Sequence, residues 1–516
     1  MKGLPIRMRG LRIKTKLHFP FWFHLVALGS FSIISWTSQI WWWINSTFWY
    51  QDWYLAYQLI DYTRNSLITF DWQPHVALVD QFSNANSTVG IFGNRIFSIG
   101  MLIFSPDALF FPLFETRYAL VFHVVFSITL IALCTTLQLK NLGYSIFSIY
   151  FLGISFLFFS PFVARISVGH IQLIGYFLVP LFLALLIEVS TLKPKFYSLW
   201  RIKMTLLLTY VISLGSIHVF FQMLIILSLY CLFNPSFFRV LSIPPLISLM
   251  LTAFQVLPSL LDREGNSNRS VYAGYGYKFY DLTSWRNRES EYSFASLLEI
   301  IRTTKLHFAE VVTHIWVAMT DSESAIKFNG WEWTVDIGII LVCIISSYFF
   351  LLTSRKTKLG RRDLWVLIPL FLSLSLVYRF TFLALKLFFD FPAIDRVPYR
   401  MFIYPLVWII LKSMSYFDSN IFRIWTKNLF LRILLFSMLC FNSLHGFEVL
   451  RSWNFKFLLE DIQLQKLAGL TRLPKYQITV QPLDYEYISH IEVGFLISIV
   501  TSFFCLIYCR SLFKKV

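Results

Sequence analysis

Residues 19–44 read FPFWFHLVALGSFSIISWTSQIWWWI, an apolar run that contains no Asp, Glu, Lys or Arg. As a helix this run is long enough to cross a hydrocarbon layer of about 30 Å. Tryptophans gather around its far end, as at a membrane–water interface. The run is too long for a signal-peptide core and has no small-residue cleavage site, so it predicts an uncleaved first span.

Similar apolar runs recur along the chain. Of its 516 residues, 57% are hydrophobic, 19% are aromatic and only 14% are charged. This composition predicts an all-α polytopic membrane protein with about twelve transmembrane helices, forming a single integral membrane domain over residues 1–516. The predicted spans are 19–44, 118–138, 144–163, 171–188, 204–216, 218–233, 240–257, 335–353, 364–379, 400–415, 430–446 and 493–510. Because 204–233 is too long for one helix, Gly215-Ser216-Ile217-His218 in its middle predicts a tight turn between two short spans.

The formal charge of +17 reflects short basic tracts beside apolar runs. Such tracts set orientation and bind anionic lipids, so membrane lipids rather than nucleic acid are the expected partners. The positive-inside bias predicts a plasma (inner) membrane protein with both termini in the cytoplasm. Three outer segments then form an extracytoplasmic cap with short interfacial helices: residues 46–116, 258–333 and 447–492.

Asp52 is the leading candidate for a catalytic base. It lies at the start of a helix-like stretch just beyond the first span, and a helix N-terminus favours an ionised carboxylate. Capping of that helix is the alternative role. Further candidates for substrate binding or acid–base chemistry in this first outer segment are Asp61, Asp71, Trp72 and His75.

Cationic groups follow at the predicted outer ends of later spans. Arg165 and His170 suit a phosphate, because guanidinium offers bidentate donors, although Arg165 could equally snorkel to lipid headgroups. Arg396 and Arg400 are four residues apart, which on a helix is one face. Further possible substrate-binding residues are Arg379 near that pair and Tyr275 and Tyr277 in a glycine-rich stretch, which could instead rest on the bilayer interface.

Several classes of function lack their signature. The sequence contains no GxxxxGK[ST], no GxGxxG after a strand, no HExxH and no GxSxG. Nucleotide hydrolysis and zinc proteolysis are therefore not supported. The interiors of the predicted spans are nearly free of ionisable residues, unlike those of ion-driven transporters.

The order of short motifs resembles the GT-C class of membrane glycosyltransferases, particularly its bacterial multi-pass members. The matching pieces are Gln51-Asp52-Trp53, Trp72-x-Pro74-His75, Ser105-Pro106, Arg165 followed by Gly169-His170, Phe254-Gln255-x-Leu257-Pro258 and Arg396-x-Pro398-x-Arg400. They cover nearly the whole chain.

This resemblance implies transfer of a sugar, with inversion, from a polyprenyl-phosphate donor to a glycan or lipid acceptor on the outer face. In that class an acid of the first outer loop acts as the base, which corresponds to Asp52. The paired-acid DxD pattern that would hold a metal is missing, so we expect no metal and no other cofactor. The alternatives are a transporter or flippase for lipid-linked glycans and a non-catalytic membrane protein.

Overall fold

The fold is described by a computed structural model. It describes residues 20–44, 53–73, 76–80, 94–95, 103–261, 338–353, 361–372, 398–419, 428–468, 476–480 and 483–513. Six of the predicted site residues lie outside these ranges: Asp52, His75, Tyr275, Tyr277, Arg379 and Arg396.

Helices dominate the described residues. In the first half of the chain they are α1 Phe21–Ile44, α2 Trp53–Thr69, α3 Thr116–Asn141, α4 Ile146–Leu157, α5 Ser160–Ser167, α6 Val179–Thr191, α7 Tyr197–Ser213, α8 Ile217–Phe233, α9 Phe238–Leu241, α10 Ile243–Leu251 and α11 Ala253–Leu261. Then follow α12 Ile339–Thr353, α13 Leu367–Leu372, α14 Ile403–Phe417, α15 Leu429–Ala468 and α16 Tyr485–Phe513. Short 3-10 helices are Pro106–Leu113, Ile171–Leu178, Pro194–Phe196, Pro235–Phe237, Arg361–Val366 and Pro398–Phe402.

Six helical segments in the described residues are long and apolar enough to cross a membrane. They are Phe21–Ile40, Thr116–Asn141, Ile146–Ser167, Ile171–Thr191, Leu429–Trp453 and Tyr485–Ser511. A further pair, Ile217–Phe233 and Pro235–Leu251, passes the same test together but bends by 119°. The predicted helical, multi-pass membrane architecture is thus confirmed, with six or seven spans in this part of the chain.

Helix α3 packs against α1, α4 and α6 in one bundle. We call the end where α3 begins the Thr116 end and the opposite one the Asn141 end. At the Asn141 end, the Nζ of Lys203 in α7 donates to Glu188 in α6 at 2.8 Å, and the Nε2 of Gln138 in α3 donates to the same carboxylate at 2.9 Å. This network of an ion pair and an amide hydrogen bond joins α3, α6 and α7 at the Asn141 end.

A small sheet at the Thr116 end was not predicted. Its strands are β1 Val76–Asp80, β2 Asn94–Arg95 and β3 Tyr476–Val480. They are antiparallel in the order β2-β1-β3, and Val76 pairs with Val480. Strands this short carry little pattern, and β3 comes from a remote part of the chain. Two of the predicted outer segments, 46–116 and 447–492, therefore meet through backbone hydrogen bonds.

Helix α15 is much longer than the predicted span 430–446. Its 40 residues would measure about 60 Å, twice the hydrocarbon thickness of a bilayer. The prediction ended the helix too early because hydropathy detects only the apolar part. After the apolar part, the helix continues through Glu, Leu, Gln and Lys residues, which favour helix although most of them are polar. The segment 447–492 accordingly begins as helix and not as loop.

Candidate functional site

A glycine turn ends α5 at the Thr116 end. Gly169 has φ 88°, in the left-handed region that side chains other than hydrogen disfavour. The backbone N–H of His170 donates to the Arg165 carbonyl at 3.2 Å, and the 3-10 helix Ile171–Leu178 follows directly. This turn reverses the chain and leaves His170 half-buried at the end of the bundle.

Arg165, one turn earlier, is fully buried, with 0% of its surface exposed. Its guanidinium donates to the Pro161 carbonyl and lies over the ring of Tyr176, with the central carbon 4.9 Å from the ring centroid. The snorkelling alternative is therefore wrong, because a snorkelling arginine keeps its head in water or among headgroups. The side chain lies beneath the surface, where a charge acts over a longer range than in water.

The beginning of α2 is attached to the end of α5. The indole Nε1 of Trp53 donates to the Ser167 carbonyl at 2.9 Å, and Trp53 is fully buried. This bond satisfies one of the carbonyls at a helix C-terminus that have no partner within the helix. The bond attaches Trp53, the residue after the candidate base Asp52, to Ser167. Ser167 follows Arg165 by two positions in α5.

The predicted tight turn between α7 and α8 is confirmed. Gly215 has φ 73°, and the adjacent Ser216 donates from its Oγ to the Gln172 carbonyl. The same Oγ accepts from the Gly175 backbone N–H at 3.0 Å. A side chain at Gly175 would lie 2.5 Å from the Ser216 Cβ, so only glycine permits this approach. The α7–α8 turn is thereby fastened to the 3-10 helix that follows His170.

Arg400 lies near this turn. It belongs to the 3-10 helix Pro398–Phe402, directly before α14, and is 8% exposed. One turn further, the hydroxyl of Tyr404 donates to the Val219 carbonyl in the first turn of α8 at 3.4 Å. The ring of Tyr404 also contacts Phe182, at 6.3 Å between centroids. These contacts bring the segment of Arg400 to the same end of the bundle as Arg165 and His170.

The acids of the first outer segment have structural contacts. Asp61 accepts from the Thr116 hydroxyl at 2.6 Å and from the Asn65 amide at 3.1 Å, which joins α2 to the start of α3. Asp71 is exposed and accepts from the Gln73 side chain at 3.3 Å. Both have the character of local anchors rather than of a base held in a cleft.

Trp72 belongs to an aromatic cluster. Its ring contacts Tyr62 at 6.2 Å and Phe104 at 5.5 Å, and Phe104 in turn contacts Phe254 at 5.1 Å. Phe254 stacks on Phe495 in α16 at 4.7 Å. Burial raises the pKa of Tyr62 to about 12, with a smaller contribution from the negative charge of Asp71. Trp72 thus packs α2 against α11 and α16.

One buried pair of side chains was not predicted from the sequence. Asp107, two residues after Ser105, lies with its Oδ2 2.5 Å from the Nδ1 of His123, and neither side chain is exposed. The motif Ser105-Pro106 lies directly before Asp107, but it does not indicate that Asp107 is buried. No spacing rule links a 3-10 helix residue to the second turn of the next helix.

Groups of three or more His, Cys, Asp or Glu side chains that could hold a metal ion are absent from the described ranges. The site at the Thr116 end consists of two buried guanidinium groups, a half-buried imidazole and ordered backbone turns. Such an arrangement can stabilise an anion by charge and by hydrogen bonds.

A scan against models of protein families finds none that matches this chain, and a search of curated proteins finds none that is similar to it.

Proposed function

We propose that this chain is a GT-C-like membrane glycosyltransferase with about twelve spans. It would use a polyprenyl-phosphate sugar and act on a glycan or lipid acceptor at the outer face of the plasma (inner) membrane. In this orientation the Thr116 end is the outer end and both termini are cytoplasmic, in keeping with the basic tracts.

The reaction is a displacement at the anomeric carbon of the sugar. An acceptor hydroxyl oxygen attacks that carbon, the bond from the carbon to the phosphate oxygen breaks, and the lipid phosphate leaves with the electron pair. Asp52 accepts the hydroxyl proton, which raises the nucleophilicity of the oxygen. Arg400, Arg396 and His170 stabilise the departing phosphate, and the buried charge of Arg165 supports them from beneath.

The observation that carries the proposal is the hydrogen bond from Trp53 to the Ser167 carbonyl at 2.9 Å. It joins the chain next to the candidate base to the helix that bears Arg165. A base and a phosphate site must lie within one substrate's length of each other, and this bond links the two segments directly.

The test is turnover of a panel of polyprenyl-phosphate sugars by the purified full-length chain in nanodiscs. Asp52→Asn should slow sugar transfer by at least about 100-fold, the lower end of what a general base contributes. Glu486→Gln, at an exposed acid in the first turn of α16, is the matched control and should transfer at the parental rate. Transfer by a well-folded Asp52→Asn at the parental rate would remove Asp52 from the mechanism, and an intact donor across the whole panel would reject the function.

A further inference from the structure

Helices α1 and α3 cross at small residues in the middle of their spans. The Ser32 and Thr129 hydroxyls lie 2.9 Å apart, and a Cβ on Gly29 would lie 3.5 Å from a Leu133 methyl group. Small side chains let two helices approach closely within a membrane. Beside this contact, and extending from it towards the Thr116 end, lies a cleft of about 540 Å³ between the two helices.

The cleft is lined almost entirely by carbon. Its lining residues are Ile33 and Thr37 of α1 and Phe114, Tyr118, Val121, Phe122, Val125, Phe126, Thr129, Leu130 and Leu133 on the α3 side. Aromatic side chains recur every four residues along this wall. The rings of Phe114 and Phe122 lie 5.1 Å apart, and those of Phe122 and Phe126 lie 5.4 Å apart.

The cleft lies at hydrocarbon depth. Leu133 follows Thr116, the first residue of α3, by 17 positions, which on a helix is about 26 Å of the roughly 30 Å hydrocarbon layer. A sugar or other polar ligand would lose its hydrogen bonds to water there without gaining others. The occupant that fits is a hydrocarbon chain.

An arginine stands at the mouth of the cleft. The Nε of Arg64 in α2 donates to the carbonyl of Phe114, a lining residue, and its Nη1 donates to Asn65 at 3.2 Å. Two acids lie nearby, but both oxygens of Asp61 already accept hydrogen bonds, and Glu115 is exposed. The half-buried guanidinium of Arg64 is therefore placed to bind a phosphate-type headgroup by its remaining donors.

Helix α2 sets the distance between this mouth and the candidate phosphate site. Trp53 is attached near Arg165, and Arg64 follows Trp53 by 11 residues, about 16 Å along a helix. A donor's single phosphate is bonded directly to its own chain, so a donor whose phosphate occupies the candidate phosphate site cannot also place a phosphate at Arg64. An acceptor's hydroxyl, in contrast, is separated from its chain by the whole headgroup.

We propose that the cleft between α1 and α3 binds the hydrocarbon chain of a lipid-borne acceptor, with its headgroup at Arg64. This inference rests on the proposed function and narrows the acceptor to a lipid-linked molecule.

Photolabelling tests the cleft independently of catalysis. The probe is a diazirine-bearing prenyl phosphate, presented to the full chain in phosphatidylcholine nanodiscs and mapped by peptide. We expect labels on residues 33–37 and 118–133, displaced by unlabelled prenyl phosphate. Ile33→Trp places a large ring in the cleft and should weaken labelling by at least about tenfold, equivalent to 1.4 kcal/mol. Its control is Ile34→Trp, at a neighbouring side chain that is 68% exposed and does not line the cleft, whereas Ile33 is 48% exposed.

The outcomes separate the two proposals. Labelling spread evenly over lipid-facing residues, or equal loss in Ile33→Trp and Ile34→Trp, would overturn the cleft inference whatever the enzyme does. In the transfer assay Ile33→Trp should raise KM for a lipid acceptor at least about tenfold and leave KM for the donor unchanged. A rise in the donor KM instead would also overturn it. Selective labelling by a chain that transfers no sugar would reject the function and retain the lipid site.

Discussion

The Oδ2 of Asp107 lies 2.5 Å from the Nδ1 of His123, in surroundings where neither side chain is exposed. Their other polar atoms, Asp107 Oδ1 and His123 Nε2, have no hydrogen-bond partner within the described residues. Each side chain is thus the main polar partner of the other. The pair joins the 3-10 helix Pro106–Leu113 to α3, beneath the Thr116 end.

Removing one member should be worse than removing both. Asp107→Leu leaves a buried imidazole unpaired and should lower the free energy of unfolding by about 3 kcal/mol. The double variant with His123→Leu buries only apolar atoms and should lose less than that single variant. Chemical unfolding in detergent measures both. Losses that simply add would show that the two side chains do not depend on each other.

The Trp53 indole should matter more for transfer than for folding. Trp53→Phe removes the donor to the Ser167 carbonyl and should loosen the start of α2, lowering sugar transfer by roughly 100-fold, as a small misplacement of reacting groups does. Its control is Trp200→Phe, which removes an equally buried indole that donates to the Leu185 carbonyl at 2.8 Å, near the Asn141 end. We expect each variant to lose about 1–3 kcal/mol of stability. Equal activity in the two variants would contradict a role for Trp53 beside the site.

The elements that the sequence predicts well are those with a local cause. Gly215 between two apolar runs predicts the α7–α8 turn, because a left-handed residue there needs no distant partner. The helix after Asp52 is likewise predicted from spacing, and α2 begins at Trp53. Periodicity and turn residues act within a few positions, so a single sequence is sufficient to detect them.

The features that the sequence does not predict depend on distant partners. Arg165 is fully buried, and one of the residues that cover its guanidinium is Tyr176, which lies beyond a reversal of the chain. Strand β1 pairs with β3, some 400 residues away, which hydropathy cannot anticipate. The association of Asp107 with His123 likewise follows from packing of a 3-10 helix against α3. An arginine at the end of an apolar run indicates a surface position only where no other segment of the chain packs over it.

The close packing of α16 against α11 should require glycine at position 494. A Cβ on Gly494 would lie 2.6 Å from the Ala253 carbonyl oxygen and 2.7 Å from the Phe254 Cα, both of them backbone atoms that have little room to move. Gly494→Ala should therefore destabilise the chain by about 1–3 kcal/mol despite the better helix propensity of alanine. Gly29→Ala is the matched control, since its Cβ would make an ordinary 3.5 Å contact with Leu133. It should be neutral or stabilising, and thermal unfolding of the two variants side by side decides the matter.

Stability should also depend on pH through Asp418, which follows α14 at the Asn141 end. Its carboxylate accepts from the Ser145 N–H at 2.9 Å and from the Ser145 hydroxyl at 2.6 Å, at the N-terminus of α4. Burial raises the pKa of Asp418, although the hydrogen bonds from Ser145 and Ser148 oppose that shift. A carboxyl whose pKa is higher in the folded chain contributes stability that is complete below the unfolded pKa and is lost as pH rises through the folded one.

Asp418→Asn removes this titration, and the serine hydroxyls can turn to accept from the new amide. The unfolding free energy of the parent minus that of the variant should therefore fall as the pH rises from about 4, the ordinary pKa of an aspartate, through the higher pKa of Asp418 in the folded chain. Asp363→Asn, at a partly exposed acid whose Oδ1 lies 3.1 Å from the Nζ of Lys412, controls for loss of an acid at the same end. A parent-minus-Asp418→Asn difference that stays level or rises over this range would show that the hydrogen bonds outweigh burial at this carboxyl.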